Sequence, residues 1–183
     1  VMQADAQAAV HNRLAEFPVA FFAVVMGLLG FTLALHAAET ALGFEGAAST
    51  TALVAGIAAF VLIATLYALK LLRHPTAVQA EWAHPVRLAF FPAFSISLLL
   101  IATALVPHSP EAALPIWLAG MLTQAVLTLS VIANWIGTRA FLHAQLSPAW
   151  FIPAVGNVLV PVAGAGLGFI ETSWLFFSAG LVF

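Results

Sequence analysis

A stripe of helix-breaking and polar residues interrupts the apolar stretch between residues 149 and 168. Its members follow one another at intervals of four, four, three and four residues, and they are Pro153, Asn157, Pro161, Gly164 and Gly168. In a helix these positions fall within an arc of roughly 80° on one face. Each proline removes a backbone hydrogen bond, which costs about 3 kcal/mol in a helix interior, and hydrocarbon has no water to replace that bond. The stripe is therefore expected to face protein or a water-filled cavity.

Two interpretations of this stripe remain open from these residues alone. In the first, its glycines let neighbouring helix backbones approach closely, and Asn157 forms a hydrogen bond with a neighbour. In the second, the stripe forms part of the wall of a pore. The spacing of the residues favours neither interpretation over the other.

Ionisable residues that could carry acid–base or metal chemistry are scarce. No Asp, Glu, Lys or Arg lies near the middle of any complete apolar run, where proton-coupled pumps usually place ionisable relays. His36 and Glu39 fit a proton relay or half of a metal site, but a satisfied pair at the membrane boundary is the favoured interpretation. The chain has no H-E-x-x-H motif, no G-x-S-x-G motif and no cysteine. We therefore predict no catalytic residue, no metal, no cofactor and no enzymatic activity.

The composition identifies the class of protein. Hydrophobic residues make up 63% of the 183 residues and charged residues 7%, whereas soluble domains contain about 25% charged residues. The mean hydropathy is +1.09. The chain is therefore predicted to be an integral, multi-pass protein of the lipid bilayer. A net charge of −2 gives no indication of a nucleic-acid partner.

Apolar runs of about 20 residues, the length that crosses a bilayer, predict five complete membrane spans. Their predicted bounds are 17–39, 51–70, 88–106, 115–138 and 149–170. A sixth run begins near Ser173 and reaches only Phe183, so it is either re-entrant or, as we prefer, the start of a span in a longer protein. Residues 1–16 are predicted to be a cytoplasmic N-terminal segment, and 17–183 to be an incomplete transmembrane domain with its first span retained.

The basic residues predict the orientation, because Lys and Arg in short loops stay on the cytoplasmic side. On these spans, all of them fall on one side of the membrane: Arg13, Lys70, Arg73, Arg87 and Arg139. The loops on the other side contain Glu45, Glu111 and Glu171 but no Lys or Arg. This distribution predicts a protein of the cell membrane whose N-terminus lies on the cytoplasmic side. It also supports five crossings of the membrane.

Proline distinguishes the odd-numbered spans from the even-numbered ones. Pro18, Pro92 and Pro153 lie in the first, third and fifth spans, whereas the second has no proline and the fourth has Pro115 at its predicted start. Irregular helices are therefore predicted to alternate with regular ones. If each hairpin places its irregular helix inward, the three irregular helices line a common axis; the alternative is an ordinary bundle of kinked helices.

Three strings on these odd-numbered spans resemble one known family. They are EFPVAFFAVVMGLLGFTLAL (16–35), EWAHPVRLAFFPAFSISLLLIATAL (81–105) and SPAWFIPAVGNVLVPVAGAGLG (147–168). They are similar to the tellurite-resistance/dicarboxylate transporter family, which includes plant slow-type anion channels, malate carriers and sulfite exporters. The resemblance implies an all-α membrane protein of ten helices, arranged as five hairpins around a central pore. It also implies a homotrimer in which each subunit has its own pore.

Carried onto this sequence, the resemblance assigns nine pore-lining candidates and one residue at the pore mouth. The pore-lining candidates are Pro18, Phe21, Val25, Phe91, Phe94, Ser95, Pro153, Asn157 and Pro161. Arg87 is the candidate at the mouth, with a role as a positive-inside anchor as the alternative. The family's gating phenylalanine is expected beyond residue 183.

The expected function is passage of small anions through a channel-like pore. One alternative is a secondary carrier or exporter for C4-dicarboxylates such as malate, for sulfite, or for tellurite resistance. Another alternative is a structural membrane protein that transports nothing. The identity of the anion, the gating trigger and independent folding of this chain are not predicted.

Overall fold

The structure is a computed structural model that describes residues 13–137 and 147–182. Most of the predicted N-terminal segment 1–16, together with Arg139 and Phe183, lies outside the described residues. Within them the chain forms seven α-helices: α1 Phe22–Leu42, α2 Ala47–Arg73, α3 Pro75–Trp82, α4 Pro92–Leu105, α5 Pro110–Gly137, α6 Ile152–Gly164 and α7 Ile170–Val182. The predicted all-α membrane bundle is therefore confirmed for this part of the chain.

Each odd-numbered span begins with a short 3₁₀ segment beside a proline. These segments are Val19–Phe21, Arg87–Phe90 and Pro148–Phe151, and they lead into α1, α4 and α6. Pro18 precedes the first segment in an extended conformation, and the other two switch to α-helix next to Pro92 and Pro153. Proline is tolerated in a first helical turn, where its missing N–H has no acceptor in the helix. The predicted irregular starts of the odd-numbered spans are present.

The fourth span differs from its predicted bounds. We predicted a start at Pro115, but α5 begins five residues earlier, at Pro110, so Pro115 lies inside the helix. Pro110 ends the preceding turn and begins a helix whose first N–H groups need no helical acceptor. The even-numbered spans are therefore regular at their starts without being free of internal proline.

The fifth span is shorter than predicted. Instead of continuing to residue 170, α6 ends at Gly164, and a turn follows in which Gly168 adopts a φ of 90°. The Phe169 N–H donates to the Gly164 carbonyl across this turn, at 2.9 Å. A left-handed conformation suits glycine and terminates helices. Gly168 therefore belongs to the turn and not to the stripe on the helix.

Four of the described helical segments are long and apolar enough to cross a membrane. They are Val19–Leu42, Ala47–Arg73, Arg87–Leu105 and Pro110–Gly137. The segments Pro148–Gly164 and Ile170–Val182 are apolar but shorter. The fifth predicted span is thus a short helical segment, about 25 Å long at helical rise.

Helix α4 lies at the centre of the bundle. It contacts α1 on one side and α6 on the other, and α5 packs across both α4 and α6. In the most apolar part of Arg87–Leu105, 67% of the residues are buried, compared with 11% for Ala47–Arg73. Helix α2 packs mainly on α1, and α7 packs on α6. The three irregular helices α1, α4 and α6 therefore lie in a row. The longer helices of the even-numbered spans, α2 and α5, lie on their periphery.

Glu39 joins the first two helices. Its Oε1 accepts hydrogen bonds from the backbone N–H groups of Ala48 and Ser49 at 2.9 and 3.2 Å, at the start of α2. A carboxylate is favourable there because the first amides of a helix lack helical acceptors. The Glu39 carboxylate is therefore satisfied as a helix cap, which agrees with the favoured interpretation of this residue.

Candidate pore wall

The 3₁₀ starts of the three irregular helices lie side by side at one end of the bundle. Val19–Phe21 contacts Arg87–Phe90, which in turn contacts Pro148–Phe151. Because α1, α4 and α6 all begin at this end, the positive ends of their backbone dipoles lie together there. Arg73 and Arg87, both exposed, lie at the same end. This end of the bundle therefore combines the features that attract anions.

The three candidates in the first span do not share one environment. Pro18 is half-buried and Phe21 is 41% exposed, with its ring stacked on that of Phe17. Val25, in contrast, is completely buried in the core formed with α2 and α4. An exposed apolar stripe on α1 continues from Phe21, through Val24, Leu28 and Phe31. Phe21 is on the open face of α1, and Val25 is on its packed face.

The aromatic candidates of the third span are half-buried among other aromatic rings. Phe94 packs against Phe22 and Phe60, with ring centroids 5.4 and 5.6 Å apart. Phe91 makes an edge contact with Trp82, at 4.8 Å. Trp82 is the last residue of α3 and therefore ends that helix directly against Phe91. These contacts hold both candidates on their α1, α2 and α3 sides.

The stripe on the fifth span is turned toward α5 and α7. Asn157 is buried, and its Nδ2 donates to the carbonyl of Pro153 at 3.2 Å. It also lines a cleft of about 310 Å³ between α5, α6 and α7, together with Thr128 and Phe176. Pro161 is half-buried and lines a second cleft of about 370 Å³ between α6 and α7. The opposite face of α6 presents exposed apolar side chains: Phe151, Val155 and Val162.

Glycine in this stripe serves close packing. A Cβ on Gly164 would lie 2.6 Å from the ring of Trp117 and 2.7 Å from Oγ of Ser173. The Trp117 indole N–H donates to the carbonyl of Val160 at 2.9 Å, which fixes the ring over the glycine. The packing interpretation therefore accounts for Gly164.

Gln124 of α5 is a buried polar residue that the sequence analysis missed. Its Nε2 lies 2.9 Å from the carbonyl of Pro153 and 2.9 Å from Oγ1 of Thr128. The hydroxyl of Ser95, a completely buried candidate on α4, donates to Gln124 Oε1 at 2.6 Å. Two of the predicted candidates, Ser95 and Pro153, are therefore brought together through a side chain on a third helix. An uncharged amide in an apolar run was the available signal.

The sequence analysis also missed a buried ion pair at the basic end of the bundle. The Lys70 ammonium lies 3.1 Å from the Glu81 carboxylate and donates to the carbonyl of Phe17 at 2.8 Å. The hydroxyl of Tyr67 donates to the same carboxylate at 2.9 Å. The place of Lys70 at the end of an apolar run is the signal in the sequence that indicates its burial.

Arg87 lies at the basic end of the bundle, whereas His36 and His108 lie at the opposite end. Arg87 is exposed, as expected for a residue at a pore mouth or at a membrane boundary. At the other end of the bundle the rings of His36 and His108 are 5.8 Å apart. The part of the chain that the structure describes contains no group of three or more His, Cys, Asp or Glu residues placed to hold a metal ion.

Comparison with known proteins connects this arrangement to anion channels. The chain is 34% identical over 128 residues to the S-type anion channel SLAH3 of Arabidopsis thaliana, covering 68% of this chain and 20% of that protein. It is 27% identical over 178 residues to S-type anion channel SLAH2 of the same plant, covering 93% of this chain and 34% of the relative. The uncharacterized transporter MJ0762 of Methanocaldococcus jannaschii is 24% identical over 108 residues, or 58% of this chain and 32% of that protein.

These relatives are longer than the chain. The match spans 20% of the length of SLAH3, 34% of SLAH2 and 32% of MJ0762. The three strings that carry the predicted resemblance lie between residues 16 and 168. The family model described as voltage-dependent anion channel, SLAC1, matches residues 16–183. The predicted resemblance is thereby confirmed, and the chain belongs to the SLAC1 family of voltage-dependent anion channels.

Proposed function

We propose that this chain forms part of the wall of a pore that conducts small anions across a membrane. The observation that carries the proposal is the row of three proline-interrupted helices, α1, α4 and α6, whose 3₁₀ starts are in contact at one end. Membership of the SLAC1 family and the names of the plant relatives support the same function.

The charges of the described residues fit a weakly binding anion path. Fixed charges are absent from the middle of the described spans, and the buried Lys70 is neutralised by Glu81. The remaining positive potential comes from helix N-termini and from exposed Arg73 and Arg87. Such a path favours anions without trapping them, because selective conduction needs entry to be favourable and binding to stay weak. Phe21 and Phe91 supply aromatic bulk near the entrance.

The proposal includes an orientation and an assembly. The N-terminus lies on the cytoplasmic side of a cell membrane, because Lys and Arg in short loops are retained on that side. The family resemblance supports ten helices per subunit around one central pore, and a homotrimer of such subunits. The exposed apolar faces of α1 and α6 are then covered by further helices or open onto the pore.

A secondary carrier is the second candidate function. Carriers often build a substrate site from discontinuous helices near the middle of the membrane. The fifth span has this character, since it changes from 3₁₀ to α-helix at Pro153 and contains Pro161 one turn before its end. C4-dicarboxylates such as malate, sulfite, and oxyanions that confer tellurite resistance are the substrates this candidate would transport.

Flux measurements on the complete protein that carries this chain separate the candidates. The purified protein is reconstituted in liposomes, and chloride, nitrate, malate and sulfite fluxes are measured with and without a proton gradient. Gradient-independent flux of several small anions, with unitary conductance steps, is the expected result. Saturable flux of malate or sulfite that needs the proton gradient would instead establish the carrier. No flux of any anion from well-folded protein would leave a structural role and refute both transport functions.

A further inference from the structure

The carboxamide of Gln124 uses both of its N–H donors and its oxygen inside the bundle. The side chain is completely buried. Its two N–H groups point to Pro153 O and Thr128 Oγ1, each at 2.9 Å, and its oxygen accepts from Ser95 at 2.6 Å. An amide has two donors and one acceptor oxygen, so a flipped amide would place oxygen against the Pro153 carbonyl. The geometry therefore fixes both the side chain and its orientation.

Two of the groups that Gln124 binds lie in the first turns of two irregular helices. Ser95 is three residues after Pro92, in the first turn of α4, and its hydroxyl oxygen is also 2.8 Å from the Pro92 carbonyl. Pro153 lies at the start of α6. One side chain from α5 therefore touches the points at which α4 and α6 change from 3₁₀ to α-helix.

Space for this side chain is reserved on α6. A Cβ on Gly156 would overlap all three heavy atoms of the Gln124 carboxamide, so only glycine leaves room for it. The surroundings are apolar, and a buried amide that lost its partners would be costly. The position of α6 relative to α5 is thus coupled to the orientation of one amide.

We propose that Gln124 is a positioning residue that sets the separation of the interrupted ends of α4 and α6, and thereby the conductance of the pore. This inference rests on the proposed transport function. It predicts that a residue with a titratable donor at this position makes the pore sensitive to pH. The outer helix α5 then controls two inner helices without contributing a side chain to the lumen.

The variant Gln124→Glu tests the proposal because it has nearly the same shape. The ionised carboxylate has no donor and repels the Pro153 carbonyl, whereas the protonated acid has one donor and restores one of the two bonds. Flux through Q124E should therefore approach the parent value in acid and fall as the pH rises. We expect a fall of about tenfold, the change that loss of about 1.4 kcal/mol produces in an equilibrium.

Two controls identify the cause of such a pH profile. Gln79→Glu makes the same chemical change at an exposed position on α3, and it should leave the pH profile unchanged. Gln124→Leu removes the amide without adding a titratable group, so its flux should be altered equally at all pH values. The milder variant Thr128→Val strands one amide hydrogen and keeps the other two bonds, which supplies a test if the Q124E protein does not fold. It should lower flux by less than Q124E does.

A second measurement is independent of transport. Hydrogen exchange of the backbone amides in residues 92–97 and 152–157 should accelerate in Q124E at high pH and slow again in acid. If the parent protein transports nothing while Q124E shows this exchange pattern, the proposed function is refuted and the positioning role is retained. Parent protein that transports, with Q124E matching it in flux, pH profile and exchange, would overturn the inference.

Discussion

The ammonium nitrogen of Lys70 lies 3.1 Å from a carboxylate oxygen of Glu81, and 1% and 4% of these side chains are exposed. The pair joins the end of α2 to α3, and the Lys70 contact with the Phe17 carbonyl extends it to the chain before α1. Helix α3 is thereby held against the basic end of the bundle, where Trp82 contacts Phe91. The ion pair thus supports the pore candidate Phe91 through Trp82 of α3 and through Tyr67, whose ring packs on Phe91.

Substitution of Lys70 by methionine is expected to destabilise the protein strongly. Removing one partner of a buried ion pair leaves an uncompensated charge and typically costs about 3–5 kcal/mol. Thermal unfolding of the purified protein in detergent measures the loss. Arg73→Gln, at an exposed position at the end of the same helix, is the control and should change stability little. Equal stability of both variants would show that Glu81 finds another partner.

Gly164→Ala is expected to destabilise the packing of α6 against α5 and α7. The new methyl group would overlap Trp117 and Ser173, and overpacking of this kind costs about 1–3 kcal/mol. Gly166→Ala is a matched control, because a Cβ there meets atoms at 3.5 Å or more. The unfolding temperatures of the two variants provide the comparison. A smaller loss for Gly164→Ala than for Gly166→Ala would contradict the packing described for this glycine.

Phe21 and Phe22 are neighbours in sequence with different expected roles. Phe22 is 2% exposed and packs on three aromatic rings, so Phe22→Ala should cost about 3–5 kcal/mol of stability. Phe21 is 41% exposed and stacks on Phe17 alone among the described rings, so Phe21→Ala should cost about 1 kcal/mol. If Phe21 lines the pore, its alanine variant should change anion flux per folded protein. Unchanged flux in stable Phe21→Ala protein would remove this residue from the pore wall.

Arg87→Gln is expected to reduce anion flux at low ionic strength and to have little effect at high ionic strength. A charge at a pore mouth acts by concentrating anions, and the screening length falls from about 10 Å at 0.1 M salt to about 3 Å at 1 M. Flux is compared at both concentrations, with impermeant ions setting the ionic strength. Arg73→Gln is the comparison: it removes the same charge from the same end, but on the peripheral helix α2, so its deficit at low ionic strength should be smaller. A deficit that persists in high salt would indicate that Arg87 supports the structure instead of attracting anions.

Much of the architecture follows from local sequence signals. The apolar runs predicted the long helices. Two boundaries were wrong, because α5 begins before Pro115 and α6 ends before Gly168. Proline positions predicted which spans begin irregularly, because proline acts on its own backbone and on the preceding turn. The predicted bounds leave residues 71–87 between the second and third spans, and α3 lies within this connection.

The candidate site was less predictable because the facing of a side chain depends on its neighbours. Pro153 and Asn157 were assigned to one stripe correctly, yet the direction of that stripe is set by α5 and α7. Val25 and Phe21 were grouped together, although α2 and α4 cover the first and leave the second open. Helical spacing determines which residues share a face, but not which neighbour that face meets.

Hydropathy and proline are enough to identify this protein as a helical membrane protein with three interrupted spans, because both act locally along the chain. Its resemblance to one family was also legible in three strings of residues. The partners of its buried polar groups, in contrast, depend on how the helices pack against one another. Gln124 meets Ser95 and Pro153 across 29 residues of sequence in each direction, and Lys70 meets Phe17 across 53. Such pairs form when helix packing removes polar groups from lipid and from water, and each group must then find a partner on another helix.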